Sequence, residues 1–128
     1  MTSEFRKAIA RRLRRCRPAL DGRHERIVNA TFNHYLLELT SVDPGRLAEA
    51  DSLSALVVAA AGAVGMPGLG PPVAREGAGE IAIALLCLEG HIVLHCVPAQ
   101  GICLIDIVAR APADVEKGIE VITRRLSR

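Results

Sequence analysis

The sequence predicts an α+β fold, a two-layer sandwich in which two helices cover one face of an antiparallel sheet. Three strand-length apolar runs, residues 80–88, 91–97 and 102–109, follow one another through short connections, and such connections favour antiparallel neighbours. A strand pattern and a helix pattern precede these runs, and a second helix pattern follows them. The 128 residues, half of them hydrophobic, suffice for one such core.

An arginine-rich arm, residues 1–30, precedes the predicted domain, residues 31–128. The arm has nine Arg or Lys against three acids, whereas the domain has seven against eleven. These arginines suit a phosphate backbone, an anionic membrane or an acidic partner. The chain has one Tyr, two Phe and no Trp, which argues against nucleic-acid binding by base stacking.

A basic N-terminal helix is predicted within the arm, over residues 3–17. Phe5, Ile9 and Leu13 recur at helical spacing, and Pro18 ends the pattern. The alternative to a binding role is a helix that docks this narrow apolar stripe on the core.

The domain is expected to begin with a strand from residue 33 to 40 and a helix that starts at Pro44, with Asp43 as its N-cap. Helical spacing predicts six buried positions in that helix: Leu47, Leu53, Leu56, Val57, Ala60 and Val64. Residues 65–79 are rich in Gly and Pro, which predicts a loop with at most a short edge strand.

A final helix is predicted to start at Pro112, with Asp114 in its first turn. Its buried face is expected to be Val115, Ile119, Ile122 and Leu126.

The predicted sheet has a second face that no helix covers. Both sides of the run 102–109 are apolar, and an apolar sheet face has to be covered. We therefore expect a homodimer through the sheet, or docking on another partner.

Composition also bears on the compartment. The four cysteines show no CxxC spacing, no secretory signal pattern is present, and the apolar stretch at 53–64 is too short to span a bilayer. We expect free thiols, a reducing cytoplasmic location and no transmembrane segment.

Residues 89–106 carry a spaced set of residues: Glu89, Gly90, His91, His95, Pro98, Gly101 and Asp106. This set resembles the signature of the small prokaryotic S-adenosylmethionine decarboxylases, which reads Glu-Ser-His, three residues, His-Thr-Trp-Pro-Glu, then Gly and a strand with Asp. The resemblance extends over about residues 33–127 and implies the same sandwich fold.

The resemblance implies a specific chemistry at Glu89 and Gly90. Members of this family cut their own chain between the Glu and Ser of the signature, and the Ser becomes a pyruvoyl group that acts as the electron sink for decarboxylation. Glycine has no hydroxyl with which to attack the preceding carbonyl. We therefore expect a degenerate processing site, no pyruvoyl cofactor and an uncleaved chain without decarboxylase activity.

Other family positions differ as well. Arg110 stands where the family has a proton-donating Cys, and Ala82 where it has a Ser that assists processing. The Trp and Glu of the signature are Val97 and Ala99.

Four retained residues are the candidate site. His91 and His95 share one face of a strand, and the resemblance gives the second a role in self-cleavage. Two roles are open for His95 here: a general base in other chemistry, or a hydrogen-bonded histidine that is retained from ancestry and takes part in no reaction. Glu38 and Asp106 are acids on apolar strands, so they pair with Arg or His or face a ligand pocket.

No metal site is expected. The two histidines could ligate zinc together with a thiol, but Cys96 points to the opposite face of the strand by parity. A buried Cys in a strand is more often a small hydrophobic residue.

Two functions follow from this pattern. The first is a non-decarboxylating homologue that acts as a binding or regulatory subunit, either as a homodimer or together with a homologous enzyme. In this function the protein binds an S-adenosylmethionine-like molecule or is linked to polyamine metabolism. The alternative is a divergent enzyme that reuses the pocket, with His95 and a carboxylate as acid and base.

Overall fold

A computed structural model describes residues 9–14 and 31–127. The strands are β1 (Ile9–Arg14), β2 (Phe32–Thr40), β3 (Val73–Gly77), β4 (Glu80–Cys87), β5 (Gly90–Val97) and β6 (Ile102–Arg110), and the helices are α1 (Ala50–Val64) and α2 (Val115–Leu126). The strands form one sheet in the order β1-β2-β6-β5-β4-β3, with every neighbouring pair antiparallel. The predicted α+β sandwich is confirmed.

The core lies between the two helices and one face of the sheet. Every position predicted for the buried face of either helix is buried, because the apolar residues recur with the helical period. On the sheet, alternate residues of β2, β4, β5 and β6 point into this core. The other face of these strands, the open face, carries no helix of the described part of the chain.

The starts of the helices differ in detail from the prediction. Pro44–Leu47 is a separate 3-10 turn, capped by the Asp43 carboxylate that accepts from the Gly45 amide at 3.2 Å, and α1 begins only at Ala50. Asp114 is the N-cap of α2, where its carboxylate satisfies an amide of the first turn.

The predicted N-terminal helix is wrong over residues 9–14. This segment is strand β1, paired antiparallel with β2 so that Ile9 lies opposite Thr40 and Arg12 opposite Leu37. The outer edge of β2 offers a row of backbone donors and acceptors, which a strand satisfies and a helix does not. An apolar stripe of three residues is too narrow to outweigh that pairing. The rest of the predicted helix lies outside the described residues.

Candidate functional site

Three rows of side chains cross the open face of the sheet. Strand pairing sets each row, because directly opposite residues point to the same side. The rows read His34, Val108, His91 and Leu86; then Leu36, Asp106, Val93 and Ala84; then Glu38, Leu104, His95 and Ala82. All four predicted site side chains, Glu38, His91, His95 and Asp106, therefore lie on this one face.

Asp106 joins two histidines from the strands on either side of it. Nε2 of His34 lies 2.5 Å from Oδ1 of Asp106, and Nε2 of His91 lies 4.0 Å from Oδ2. A carboxylate accepts hydrogen bonds and does not donate them, so Nε2 of His34 carries the proton. The three side chains are 18%, 37% and 31% exposed for His34, His91 and Asp106, which leaves them within reach of a ligand.

His95 and Glu38 occupy the next row but do not meet. They flank Leu104 from opposite sides, and residues two strands apart are separated by about 10 Å. The sequence predicted that His95 acts with a carboxylate, either Asp106 or Glu38, whereas in the structure Asp106 pairs with His34. His34 belongs to the same strand pattern as Glu38, but only the register between β2 and β6 brings it to Asp106.

Gly90 begins β5 directly after the turn at Leu88 and Glu89. A Cβ atom at this position would lie 1.9 Å from the backbone oxygen of Val108 and 2.9 Å from Cα of Ala109. The carbonyl of Glu89 accepts a hydrogen bond from the Arg110 amide at 2.8 Å. The Glu89–Gly90 peptide bond is thus held against the backbone of β6, in a space that a side chain would need.

Apolar side chains surround this end of the open face. Leu88 is 79%, Leu86 67% and Phe32 50% exposed.

Cys103, on β6, is buried on the helix side of the sheet, so its thiol cannot stand in for the family Cys at the position of Arg110. In residues 31–127 no three His, Cys, Asp or Glu side chains are grouped to hold a metal ion.

Comparison with known proteins identifies the family. The family model for S-adenosylmethionine decarboxylase matches residues 33–128 of the sequence. The chain belongs to the S-adenosylmethionine decarboxylase family. The crystal structure of the adenosylmethionine decarboxylase from Aquifex aeolicus superposes with a TM-score of 0.70 at 17% identity, over 77% of this chain and 82% of that one. No curated protein matches the sequence.

Strand pairing brings two positions of the resemblance together. Ala82 and His95, the two positions that the resemblance links to chain processing, are directly opposite each other on β4 and β5. No helix among the described residues is long and apolar enough to cross a membrane.

Proposed function

We propose that this family member stays a single uncleaved chain, has no pyruvoyl group and acts by binding rather than by decarboxylation. The observation that carries the proposal is Gly90. The family reaction needs a hydroxyl at this position, and glycine has none. The Val108 carbonyl also fills the space where the Cβ of a serine would lie. On this proposal, the pyruvoyl group is absent for two reasons: residue 90 has no hydroxyl, and the backbone of β6 leaves no room for a side chain there.

The open face favours assembly with a second copy or with a homologue. His95 lies five residues beyond Gly90 on an extended strand, which separates them by about 16 Å. A histidine that far away cannot serve the Glu89–Gly90 bond of its own chain. The role that the family resemblance gives to His95 thus calls for two chains that face each other. Such an arrangement would also cover the exposed Leu86 and Phe32.

A small ligand would bind beside Asp106 on the open face, where the second chain would cover it. The carboxylate accepts from His34 through Oδ1, while Oδ2 lies 4.0 Å from His91. It therefore keeps acceptor capacity for an amine or for hydroxyl groups. Together with the apolar neighbours Val93 and Leu36, it suits an S-adenosylmethionine-like molecule that has a cationic part and an apolar part.

A divergent enzyme is the second candidate, and the His34–Asp106 pair is what favours it. A carboxylate that orients an imidazole is a common arrangement for general acid–base catalysis. In this version the base is His34 or His91 beside Asp106, rather than the exposed His95.

The test begins with the intact mass of the purified full-length chain and with release of carbon dioxide from carboxyl-labelled S-adenosylmethionine. We expect one uncleaved mass and no release. Calorimetric titration with the same compound should give binding that Asp106→Asn weakens at least tenfold, about 1.4 kcal/mol. Glu120→Gln, an exposed acid on α2, is the matched control and should bind like the wild type.

Two fragments that meet at Glu89 and Gly90, or released carbon dioxide, would contradict the proposal. Turnover of S-adenosylmethionine to another product, lost in Asp106→Asn, would favour the divergent enzyme.

A further inference from the structure

Cys96 and Cys103 lie directly opposite each other on β5 and β6. Their sulfur atoms are 3.6 Å apart, and the two residues are 1% and 0% exposed. They belong to the helix side of the sheet, away from the open face. Cys96 stands where the family signature has Thr, and the proposed function uses neither cysteine.

The strand register places this pair where a cross-strand disulfide fits. The Arg110 amide donates to the Glu89 carbonyl, which makes residues 89 and 110 a hydrogen-bonded pair. Hydrogen-bonded and non-hydrogen-bonded pairs alternate along an antiparallel ladder. Seven positions further along, Cys96 and Cys103 form a non-hydrogen-bonded pair, the kind in which side chains approach most closely. There the Cβ atoms are about 4.5 Å apart, at the upper end of the range that disulfides span.

The two thiols also differ in how readily they lose a proton. The hydrogen bond between the two sulfurs lowers the pKa of Cys96, although burial acts in the opposite direction. The same hydrogen bond, with burial, raises the pKa of Cys103. Cys96 is therefore the sulfur that ionises first, and the thiolate is the form that reacts. Cys87 differs, since burial raises the pKa of its thiol.

We propose that Cys96 and Cys103 are a reversible disulfide site that responds to hydroperoxides. The Cys96 thiolate attacks one peroxide oxygen, so that an S–O bond forms and the O–O bond breaks. Cys96 becomes a sulfenic acid, and the other oxygen leaves as water after protonation. Cys103 then attacks the Cys96 sulfur, the S–S bond forms, and its thiol proton leaves with the hydroxyl as a second water. Two thiols are oxidised by two electrons, and one peroxide is reduced to two waters.

The disulfide would join β5 and β6, the two strands that carry His91 and Asp106 on the open face. His91 is on β5 and Asp106 on β6, and the bond would close a loop of only eight residues between them. A loop of this length is expected to raise the melting temperature by about 5–10 °C. Because both sulfurs are covered, we expect the reaction to need local opening at the turn near residues 98–101.

The experiment treats the full-length chain with hydrogen peroxide and measures intact mass and melting temperature. A Cys16→Ser, Cys87→Ser background removes the other thiols. We expect a loss of about 2 Da, a peptide link between Cys96 and Cys103, the rise in melting temperature, and full reversal by dithiothreitol. Cys96→Ala in the same background should lose none of this mass, and its melting temperature should not rise with peroxide.

Two outcomes would overturn the proposal. One is oxygen added at Cys96 or Cys103 without any loss of 2 Da. The other is a Cys96–Cys103 pair whose thiols both remain fully alkylatable after peroxide treatment and unfolding. Circular dichroism of Cys96→Ala guards against a variant that fails to fold.

Discussion

Restoring a serine at Gly90 should destabilise the protein and should not restore self-cleavage. The new Cβ would lie 1.9 Å from the Val108 oxygen, whereas Cβ contacts under 3.0 Å essentially never occur. Strands β5 and β6 must then separate by more than about 1 Å at this end, an overpacking that costs about 1–3 kcal/mol. The hydrogen bond from the Arg110 amide to Glu89 is strained or lost, which adds about 0.5–1.5 kcal/mol.

The total loss, about 1.5–4.5 kcal/mol, is readily measured by urea unfolding. Gly90→Ala separates the steric effect from the hydroxyl and should cost a similar amount. Gly77→Ser is the control, because nothing lies within 4 Å of a Cβ at that strand glycine, and its change should stay within about 0.5 kcal/mol. A Gly90→Ser protein as stable as the wild type, or one that splits into two fragments on incubation, would refute this reasoning.

Three further predictions concern single side chains. Asp114→Ala removes the carboxylate that accepts from the amide two residues on at 3.0 Å, and should lower the free energy of unfolding by about 1 kcal/mol in urea. Asp106→Asn removes the carboxylate acceptor from His34, so nitrogen NMR should show a changed ring signal for His34 and an unchanged one for His95. Burial raises the pKa of Cys87, so the folded thiol keeps its proton to higher pH than the unfolded one. Stability from this group is then full below the ordinary value of 9.0 and declines as the pH rises above it, and Cys87→Ala should flatten that part of a pH series of unfolding midpoints.

The parts of the fold that repeat along the chain could be predicted from the sequence. The buried faces of α1 and α2 follow the helical period, so positions such as Leu53 and Ile122 are where periodicity puts them. The strands β4, β5 and β6 are read from apolar runs separated by short connections. Alternation along a strand also places His91 and His95 on one common face of β5.

The parts that depend on register could not be predicted. His34 and Asp106 are 72 residues apart in the chain, and nothing local reports which residues of β2 and β6 become neighbours. The same limit applies to Gly90, since its sequence shows a missing hydroxyl but not a carbonyl of β6 in the place of a side chain. The sequence does not predict strand β1, because β1 is held through backbone pairing with β2 and its residues show no alternation of apolar and polar side chains.

The sheet order has a consequence for how the protein is made. Strand β2 comes early in the chain, yet its inner neighbour is β6, the last strand to be synthesised. The consecutive strands β4, β5 and β6 can form a meander through short loops, whereas pairing across a long stretch of chain is slow. On the ribosome we expect β2 to wait with its apolar residues uncovered until β6 has emerged. During synthesis, β2 is therefore the segment of this domain most open to chaperone binding and to wrong association.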